Sequence, residues 1–219
     1  MKEKKDNRAP LFAFRYFVYD FIKIGVFLTS WLWFRPKYIY ESKEAKLRLR
    51  GGALVLSNHT SFLDPLYLIY CLWYRRQRFV CMKEFYNSKL RGLFFRLVGC
   101  IPIDRENTSF DSLRDITDAL KSGEVVSIFP EGHIGWTGDV AEFKAGAVLM
   151  SSLSGRPIVP IYIKKPARQF FSRLTFVIGE PIDITAVYGR RLNPQKMQEI
   201  AESLRENEIK LKKLSGEDK

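Results

Sequence analysis

Residues 53–70 read ALVLSNHTSFLDPLYLIY, and this stretch decides the fold. The apolar run at 53–57 predicts a short buried strand, and the apolar pattern from 65 to 74 predicts a helix. A polar turn joins the two. A buried strand that ends in a polar turn and leads into a helix is typical of the repeating unit of α/β proteins, whose ligands gather beyond the carboxyl ends of the strands.

The polar turn contains one of only two histidines in the chain, His59, and five residues later an aspartate, Asp64. On a regular helix five residues correspond to roughly 500°, so the two side chains would point about 140° apart. They can meet only if His59 lies in the turn and Asp64 begins the following helix. Thr60 and Ser61 are expected to supply N-cap oxygens for that helix.

A histidine paired with a carboxylate is suited to general base catalysis. Imidazole titrates near neutrality and can accept a proton from an alcohol, while an aspartate on one ring nitrogen fixes the tautomer and leaves the other nitrogen free to act. From these residues alone a second interpretation stays open, in which His59 is a surface histidine and the polar side chains only cap the turn.

Strand and helix patterns continue to alternate along the chain, which predicts an α/β fold with a largely parallel central sheet flanked by helices. Pro160 interrupts one of the strands, which predicts a sheet edge or a bulge at that position. The further predicted strands are Arg78–Met82, Cys100–Ile103, Glu124–Phe129, Ile158–Ile163 and Leu174–Ile178. The further predicted helices are Phe85–Leu97, Ser109–Lys121, Phe143–Ser154 and Pro194–Leu214.

The composition is that of a folded protein with an anionic partner. Apolar residues make up 46% and charged residues 27% of the 219 positions, which argues against wholesale disorder. The net charge of +12 favours nucleic acid, a phospholipid surface or a phosphorylated substrate as partner. The three cysteines are odd in number and show no metal-binding spacing, so we expect no metal site and a reducing, cytosolic environment.

Residues 11–34 read LFAFRYFVYDFIKIGVFLTSWLWF, with charges at Arg15, Asp20 and Lys23. The uninterrupted apolar run 24–34 is shorter than the about 20 residues that span a bilayer. On a helical wheel the charges share one arc, which predicts an interfacial helix with aromatic rings at the boundary and basic residues facing anionic lipid. A helix that covers the domain's own core is the alternative. The apolar side chains on the opposite arc are Phe14, Phe17, Phe21, Leu28 and Leu32.

One domain with an N-terminal segment is predicted for this chain. Residues 1–50 form an N-terminal membrane-associating helical segment with a basic linker, and residues 51–219 form the catalytic domain. The expected location is the cytoplasmic face of the cell membrane, as a peripheral or monotopic protein with an anionic phospholipid surface as its partner.

Three more strand ends carry polar residues suited to binding an anion. Arg105 follows the segment GCIPID and offers a charged fork for a phosphate. Glu131 follows the next strand and can orient a hydroxyl, while Gly132 permits close approach of a ligand to the backbone. Lys144 places a cation at a predicted helix N-terminus, which is a second favourable position for an anion.

Four segments of the chain resemble, in sequence order, four blocks of the glycerolipid acyltransferases of the lysophosphatidic acid acyltransferase family. The blocks are Asn58-His59-x4-Asp64, 99–105, Phe129–Gly132 and Ile158–Ile161, within residues 52–163. The resemblance implies transfer of a fatty acyl group from acyl-CoA or acyl-[acyl-carrier protein] to the free hydroxyl of lysophosphatidic acid, making phosphatidic acid. It implies no bound cofactor.

The resemblance also implies a role for each matching residue. His59 would be the general base and Asp64 the carboxylate that holds it. Arg105 would contact the acceptor's phosphate, and Pro160 would shape the acyl side of the pocket. The residues expected to bind substrate are Arg105, Glu131, Gly132, Lys144 and Pro160.

One departure from the family pattern leaves the acceptor open. After Phe-Pro-Glu-Gly the family commonly continues Thr-Arg-Ser, whereas this chain has His133, Ile134 and Gly135. His133 or Lys144 would then supply the missing grip on the phosphate, or the acceptor is glycerol 3-phosphate, another lysophospholipid or an aminolipid. The non-enzymatic alternative is a basic module that binds nucleic acid or anionic membranes; it does not explain the ordered blocks, and no nucleic-acid partner is expected.

Overall fold

The computed structural model describes residues 9–104, 110–135, 140–165, 173–189 and 191–217. Within these ranges the strands are β1 (Lys37–Tyr40), β2 (Ala53–Leu56), β3 (Gln77–Met82), β4 (Ile101–Ile103), β5 (Val125–Ile128), β6 (Ile158–Lys164) and β7 (Thr175–Ile178). The helices are α1 (Ala9–Phe34), α2 (Asp64–Cys71), α3 (Lys89–Leu97), α4 (Phe110–Lys121), α5 (Gly146–Ser154), α6 (Ile184–Tyr188) and α7 (Pro194–Leu214).

The strands form one sheet in the order β1-β7-β6-β2-β5-β3-β4. All neighbouring strands are parallel except β6 and β7, which are antiparallel. Helices α2, α3, α4 and α5 each connect one strand to the next in the chain, because parallel strands need long crossovers. This architecture confirms the predicted largely parallel α/β fold and puts the ends of β2 and β5 side by side.

The two faces of the sheet explain the unbroken apolar runs. Leu54 and Leu56 of β2 belong to a core that includes residues of α4, α5 and α7, whereas Ala53 and Val55 belong to a second core with α2. Every residue of β2 is therefore buried. A strand covered on both faces has no polar positions to alternate with its apolar ones.

Pro160 lies inside the sheet rather than at its edge, because β6 pairs with β2 on one side and with β7 on the other. Beside Pro160 the antiparallel register is offset: Ile158 pairs with Ile182. Ile161 pairs with Ile178, so three steps along β6 correspond to four steps along the partner segment. The backbone groups of alternate residues in a strand point the same way, so the nitrogen of Pro160 faces β7. The pairing with β7 is offset at this point, so the missing N–H group removes no regular hydrogen bond of the sheet. The edge prediction is wrong, and the bulge prediction is confirmed.

Two segments differ from their predicted secondary structure. Lys37–Tyr40, within the predicted basic linker, forms β1 and pairs with β7, so the sheet extends across the predicted boundary at residue 50. The predicted continuous helix 85–97 is wrong: it is divided into a 3₁₀ turn, Lys83–Tyr86, and α3. The turn folds back onto α3 at Gly92, where a Cβ atom would lie 2.9 Å from the carbonyl oxygen of Tyr86.

Helix α1 turns its polar side toward the rest of the protein. The hydroxyl of Tyr19 is buried and accepts a hydrogen bond from the amide of Gln77 at 2.9 Å. Asp20 forms an ion pair with Arg76, with 2.6 Å between Oδ2 and Nη2. Asp20 also pairs with Lys23 of the same helix, so these two charges are matched within the protein, whereas the side chain of Arg15 lies outside the described residues.

Within the described ranges, the opposite side of α1 is apolar and exposed. Its exposed side chains are Phe17, Phe21, Ile24 and Leu28. Among the described residues, no helix combines the length and the apolar character needed to cross a membrane.

Candidate active site

His59 and Asp64 meet at the end of β2. The Nδ1 atom of His59 lies 3.0 Å from Oδ2 of Asp64, whose side chain is fully buried. Asp64 is the first residue of α2, so the predicted geometry of turn and helix start is confirmed. The predicted caps are wrong: Leu63 occupies the N-cap position without a side-chain hydrogen bond. The amides of Thr60 and Ser61 instead donate to Oδ2 of Asp64, each at 2.7 Å.

The two preceding amides of the turn also donate to buried carboxyl groups. The amide of His59 donates to Oε1 of Glu131 at 3.2 Å, and the amide of Asn58 donates to Oε1 of Glu208 at 3.3 Å. Four consecutive amides, 58–61, are therefore held by three buried acidic side chains. Such an arrangement fixes the backbone of the turn that carries the imidazole.

Side-chain contacts fix the same turn from other directions. The side-chain amide of Asn58 pairs with both backbone groups of Ile163 in β6, donating to its carbonyl at 3.0 Å and accepting from its amide at 2.8 Å. The carbonyl of His59 accepts from the amide of Gly135 at 2.7 Å. The imidazole stacks on the ring of Phe129, with 4.0 Å between centroids. The ring is thus held on one face and at one nitrogen.

Burial raises the pKa of both glutamates at the turn. For Glu131, desolvation raises the pKa above its ordinary value, and the hydrogen bond from the His59 amide opposes this shift. For Glu208, complete burial raises the pKa to about 8. Glu208 is consequently protonated at neutral pH and accepts the Asn58 amide as a neutral acid.

Glu208 was not predicted as a site residue, although the sequence contains a signal. In α7 the buried residues Ile200, Leu204 and Leu211 form an apolar stripe, and Glu208 occupies a core position of that stripe. A carboxyl group at a core position is costly unless it is hydrogen-bonded, so its presence there indicates a polar partner. The identity of the partner, 150 positions earlier in the chain, could only come from the fold.

A cavity of about 780 Å³ opens beside His59. Its wall is mainly apolar and aromatic, and it includes Phe85, Phe94 and Phe95. It extends along β3, from Met82 to Phe79. The volume and the apolar wall fit a site for a small-molecule or acyl ligand.

The polar end of this cavity combines two histidines and a lysine. His59, His133 and Lys144 all line it, together with Gly132. Gly132 has a positive φ of 74°, and a Cβ atom there would lie 3.6 Å from Cε of Lys144. Helix α5 begins at Gly146, later than predicted, so Lys144 lies just before its first turn. The positive charge of Lys144 and the positive end of the helix dipole therefore both favour an anion at the start of α5.

The structure does not bring every predicted residue to the cavity. Arg105 lies outside the described residues. Glu131 is buried behind the turn and does not line the cavity, so its contact is with the His59 amide. Pro160 lies on the face of the sheet that packs toward α7, beside Gly179, and is also absent from the cavity wall. The ring of Pro160 packs within the sheet, and its part in the acyl pocket stays a prediction.

No metal centre is found in the part of the chain that the structure describes: no three His, Cys, Asp or Glu side chains there are grouped so that they could hold an ion. The three cysteines are free thiols.

Comparison with known proteins assigns the chain to a family. A family model described as Acyltransferase matches residues 38–164, which run from β1 to β6 and include His59, Asp64 and Lys144. The chain belongs to the acyltransferase family. It is therefore an enzyme of acyl transfer, in a family that generally needs no cofactor.

Two curated acyltransferases illustrate the relationship. The 1-acyl-sn-glycerol-3-phosphate acyltransferase of Bacillus subtilis is 28% identical over 136 residues, which cover 60% of this chain and 67% of that protein. The enzyme of the same name from Streptococcus pneumoniae is 27% identical over 153 residues, covering 68% of this chain and 56% of that protein.

A solved acyltransferase shares the fold. The crystal structure of the 1-acyl-sn-glycerophosphate (LPA) acyltransferase PlsC from Thermotoga maritima matches with a TM-score of 0.64 and 20% identity. The match covers 92% of this chain and 81% of that one. Helix α7, which supplies Glu208 to the site, lies beyond the range that the acyltransferase family model matches.

Proposed function

We propose that this acyltransferase transfers a fatty acyl group from a thioester to the free hydroxyl of lysophosphatidic acid and so makes phosphatidic acid. The observation that carries the proposal is the His59–Asp64 pair at the polar end of an apolar cavity. The names of the curated relatives support the choice of acceptor.

The geometry of the imidazole supports the proposed base role. Asp64 binds Nδ1 of His59, which leaves Nε2 to take the proton of the acceptor hydroxyl. The oxygen attacks the thioester carbonyl, a C–O bond forms and the C–S bond breaks. The proton then passes from His59 to the departing thiolate, so the enzyme ends as it began. No covalent acyl-enzyme is required.

The apolar cavity is proposed to hold the acyl chain. Its wall has aromatic residues from α3 and the preceding turn, and residues of β3, with His59 at one end. A chain placed along β3 would bring its thioester to the imidazole. Burial of methylene groups at about 0.8 kcal/mol each would supply most of the binding free energy.

The acceptor phosphate is proposed to lie at Lys144. Lys144 lines the cavity together with His59 and His133. Gly132 leaves room beside the side chain of Lys144. Charge-assisted hydrogen bonds from an ammonium group favour a phosphate. Arg105 is proposed as a further phosphate contact on the family resemblance, and His133 stands where the family commonly has threonine before its arginine.

Membrane contact is proposed through the apolar side of α1 and the exposed residues near the cavity. Phe62, Leu90, Leu93 and Phe94 are exposed, and Phe62 and Phe94 also line the cavity. The net charge of +12 on the whole chain favours an anionic bilayer, and we place the protein on the cytoplasmic face as a peripheral or monotopic enzyme. Flotation with anionic liposomes tests this; strong oligonucleotide binding without lipid binding would contradict it.

An acceptor panel tests the proposed reaction. Purified protein is incubated with labelled acyl-CoA or acyl-[acyl-carrier protein] and with lysophosphatidic acid, glycerol 3-phosphate, a zwitterionic lysophospholipid or an aminolipid. We expect label in phosphatidic acid, and loss of that label in His59→Ala. A clear preference for an acceptor without a phosphate monoester would overturn the assignment, and an active His59→Ala would overturn the base.

A further inference from the structure

We propose that Glu208 of α7 is a positioning residue for acyl transfer, and that it holds the catalytic turn through the amide of Asn58. The kinetic test of this inference rests on the proposed function, whereas the spectroscopic test does not. Glu208 is not among the described residues that line the cavity, so its effect is expected to pass through the turn.

The placement of Glu208 has no explanation in helix stability. It is fully buried in the apolar stripe of α7, and its Oε2 atom has no hydrogen-bond partner among the described residues. An apolar side chain at this position would avoid the desolvation of a carboxyl group. What the carboxyl group supplies instead is an acceptor, 3.3 Å from the amide of Asn58.

Asn58 transmits this constraint to the base. Its own amide is held by Glu208, and its side chain pairs with both backbone groups of Ile163. The next residue is His59, whose ring must meet Asp64 at one nitrogen and the substrate at the other. A shift of about 1 Å at a catalytic group can cost on the order of 100-fold in rate, so the anchoring of Asn58 bears directly on catalysis.

The charge state of Glu208 suits this role. Burial is the main cause that raises its pKa to about 8, and the neighbouring carboxyl of Glu131 raises it further. The neutral acid accepts the amide without adding a negative charge behind the imidazole. Asp64 then remains the carboxyl group that contacts the ring. A glutamine, which is also neutral and keeps one oxygen acceptor, is the closest substitute.

Three variants of the full-length enzyme separate positioning from packing. Glu208→Gln keeps an acceptor, Glu208→Leu removes it and keeps an apolar stripe, and Leu211→Ala damages the same buried stripe without a polar contact to the turn. We expect kcat of Glu208→Gln within about threefold of the wild type, and a roughly 10-fold to 100-fold lower kcat in Glu208→Leu with nearly unchanged KM. Leu211→Ala should lower the melting temperature and leave kcat of the folded enzyme near the wild type.

A spectroscopic readout is independent of the substrate. The chain has two histidines, so the Nδ1 proton that His59 shares with Asp64 can be assigned in NMR spectra by its loss in His59→Asn. We expect this resonance to persist in Glu208→Gln and to shift or broaden in Glu208→Leu.

Several results would overturn the inference. They are an unchanged kcat in Glu208→Leu, an equal loss of kcat in Leu211→Ala, or a glutamine variant as impaired as the leucine variant. Failure of the wild type to acylate lysophosphatidic acid would refute the proposed function instead. In that case the Nδ1 proton resonance of His59 tests the inference by itself. An identical resonance in Glu208→Leu and in the wild type would refute a positioning role for Glu208.

Discussion

Oδ2 of Asp64 lies 3.0 Å from Nδ1 of His59 and also accepts hydrogen bonds from the amides of Thr60 and Ser61, the two residues that follow His59. One oxygen atom thus orients the imidazole and shapes the turn that carries it. The carboxylate cannot be removed without changing both, which makes the choice of substitution at this position critical.

Replacing Asp64 by Asn is expected to lower kcat by roughly 10² to 10⁴ with a small effect on KM. Asparagine keeps the size of the side chain and one oxygen acceptor, but it no longer stabilises the imidazolium that forms during proton transfer. Steady-state assays with purified protein measure the change. Ser61→Ala is the control, because among the described residues the Ser61 hydroxyl accepts from the Leu63 amide in the same turn, and kcat should stay within about threefold.

Replacing Lys144 by Met is expected to raise KM for a phosphate-bearing acceptor about 10-fold to 100-fold, since a charge-assisted hydrogen bond is lost from the cavity. KM for the acyl donor should change little. Lys121→Met, at an exposed position of α4, is the charge-matched control. Equal KM values in the two variants would remove Lys144 from the proposed phosphate site.

A larger side chain at Val98 is expected to shorten the preferred acyl chain. Val98 lines the cavity close to the amino end of β4, whereas His59 follows the carboxyl end of the parallel strand β2. Val98→Phe should therefore reduce activity with long donors and spare short ones, as measured with a series of acyl-CoA lengths. Leu90→Phe, an exposed position of α3 away from the cavity, should leave the profile unchanged.

The raised pKa of Glu208 predicts how stability depends on pH. The folded value is about 8 and the ordinary value is 4.5, so between these the folded state keeps a proton that the unfolded state has released. The free energy of unfolding should consequently fall as pH rises from 4.5 to 8, by at most about 1.4 kcal/mol per pH unit from this group. Urea unfolding at several pH values should show a shallower fall in Glu208→Gln; identical slopes would contradict the buried-acid assignment.

Removing two aromatic rings from the uncovered side of α1 is expected to weaken binding to anionic vesicles. Phe17→Ser with Phe21→Ser should lower the partition coefficient roughly 10²-fold to 10⁴-fold, because each of the two rings contributes about 1.5–3 kcal/mol at full burial. Vesicle sedimentation measures it. Phe110→Ser, an exposed phenylalanine of α4, is the control and should bind like the wild type. A double variant that also binds like the wild type would place the membrane surface elsewhere.

The features that the sequence alone determined are local. Helix α7 begins at Pro194 behind the cap of Asn193 and ends at Leu214, as predicted, because the cap, the proline and the apolar stripe all act within a few residues. The placement of His59 in a turn and Asp64 at a helix start is local in the same way, since both depend on a short run of backbone between a strand and a helix.

The features that only the tertiary structure decided depend on contacts between distant segments. The meeting of Glu208 with Asn58 and the outward direction of the apolar side of α1 follow from how helices pack on the sheet. So does the internal position of Pro160, which is tolerated because β7 is offset beside it. Hydrophobic periodicity indicates which side of an element is buried, but not which other element packs on that side. The hydrophobic effect is non-directional, so the packing partner depends on the fold of the whole chain.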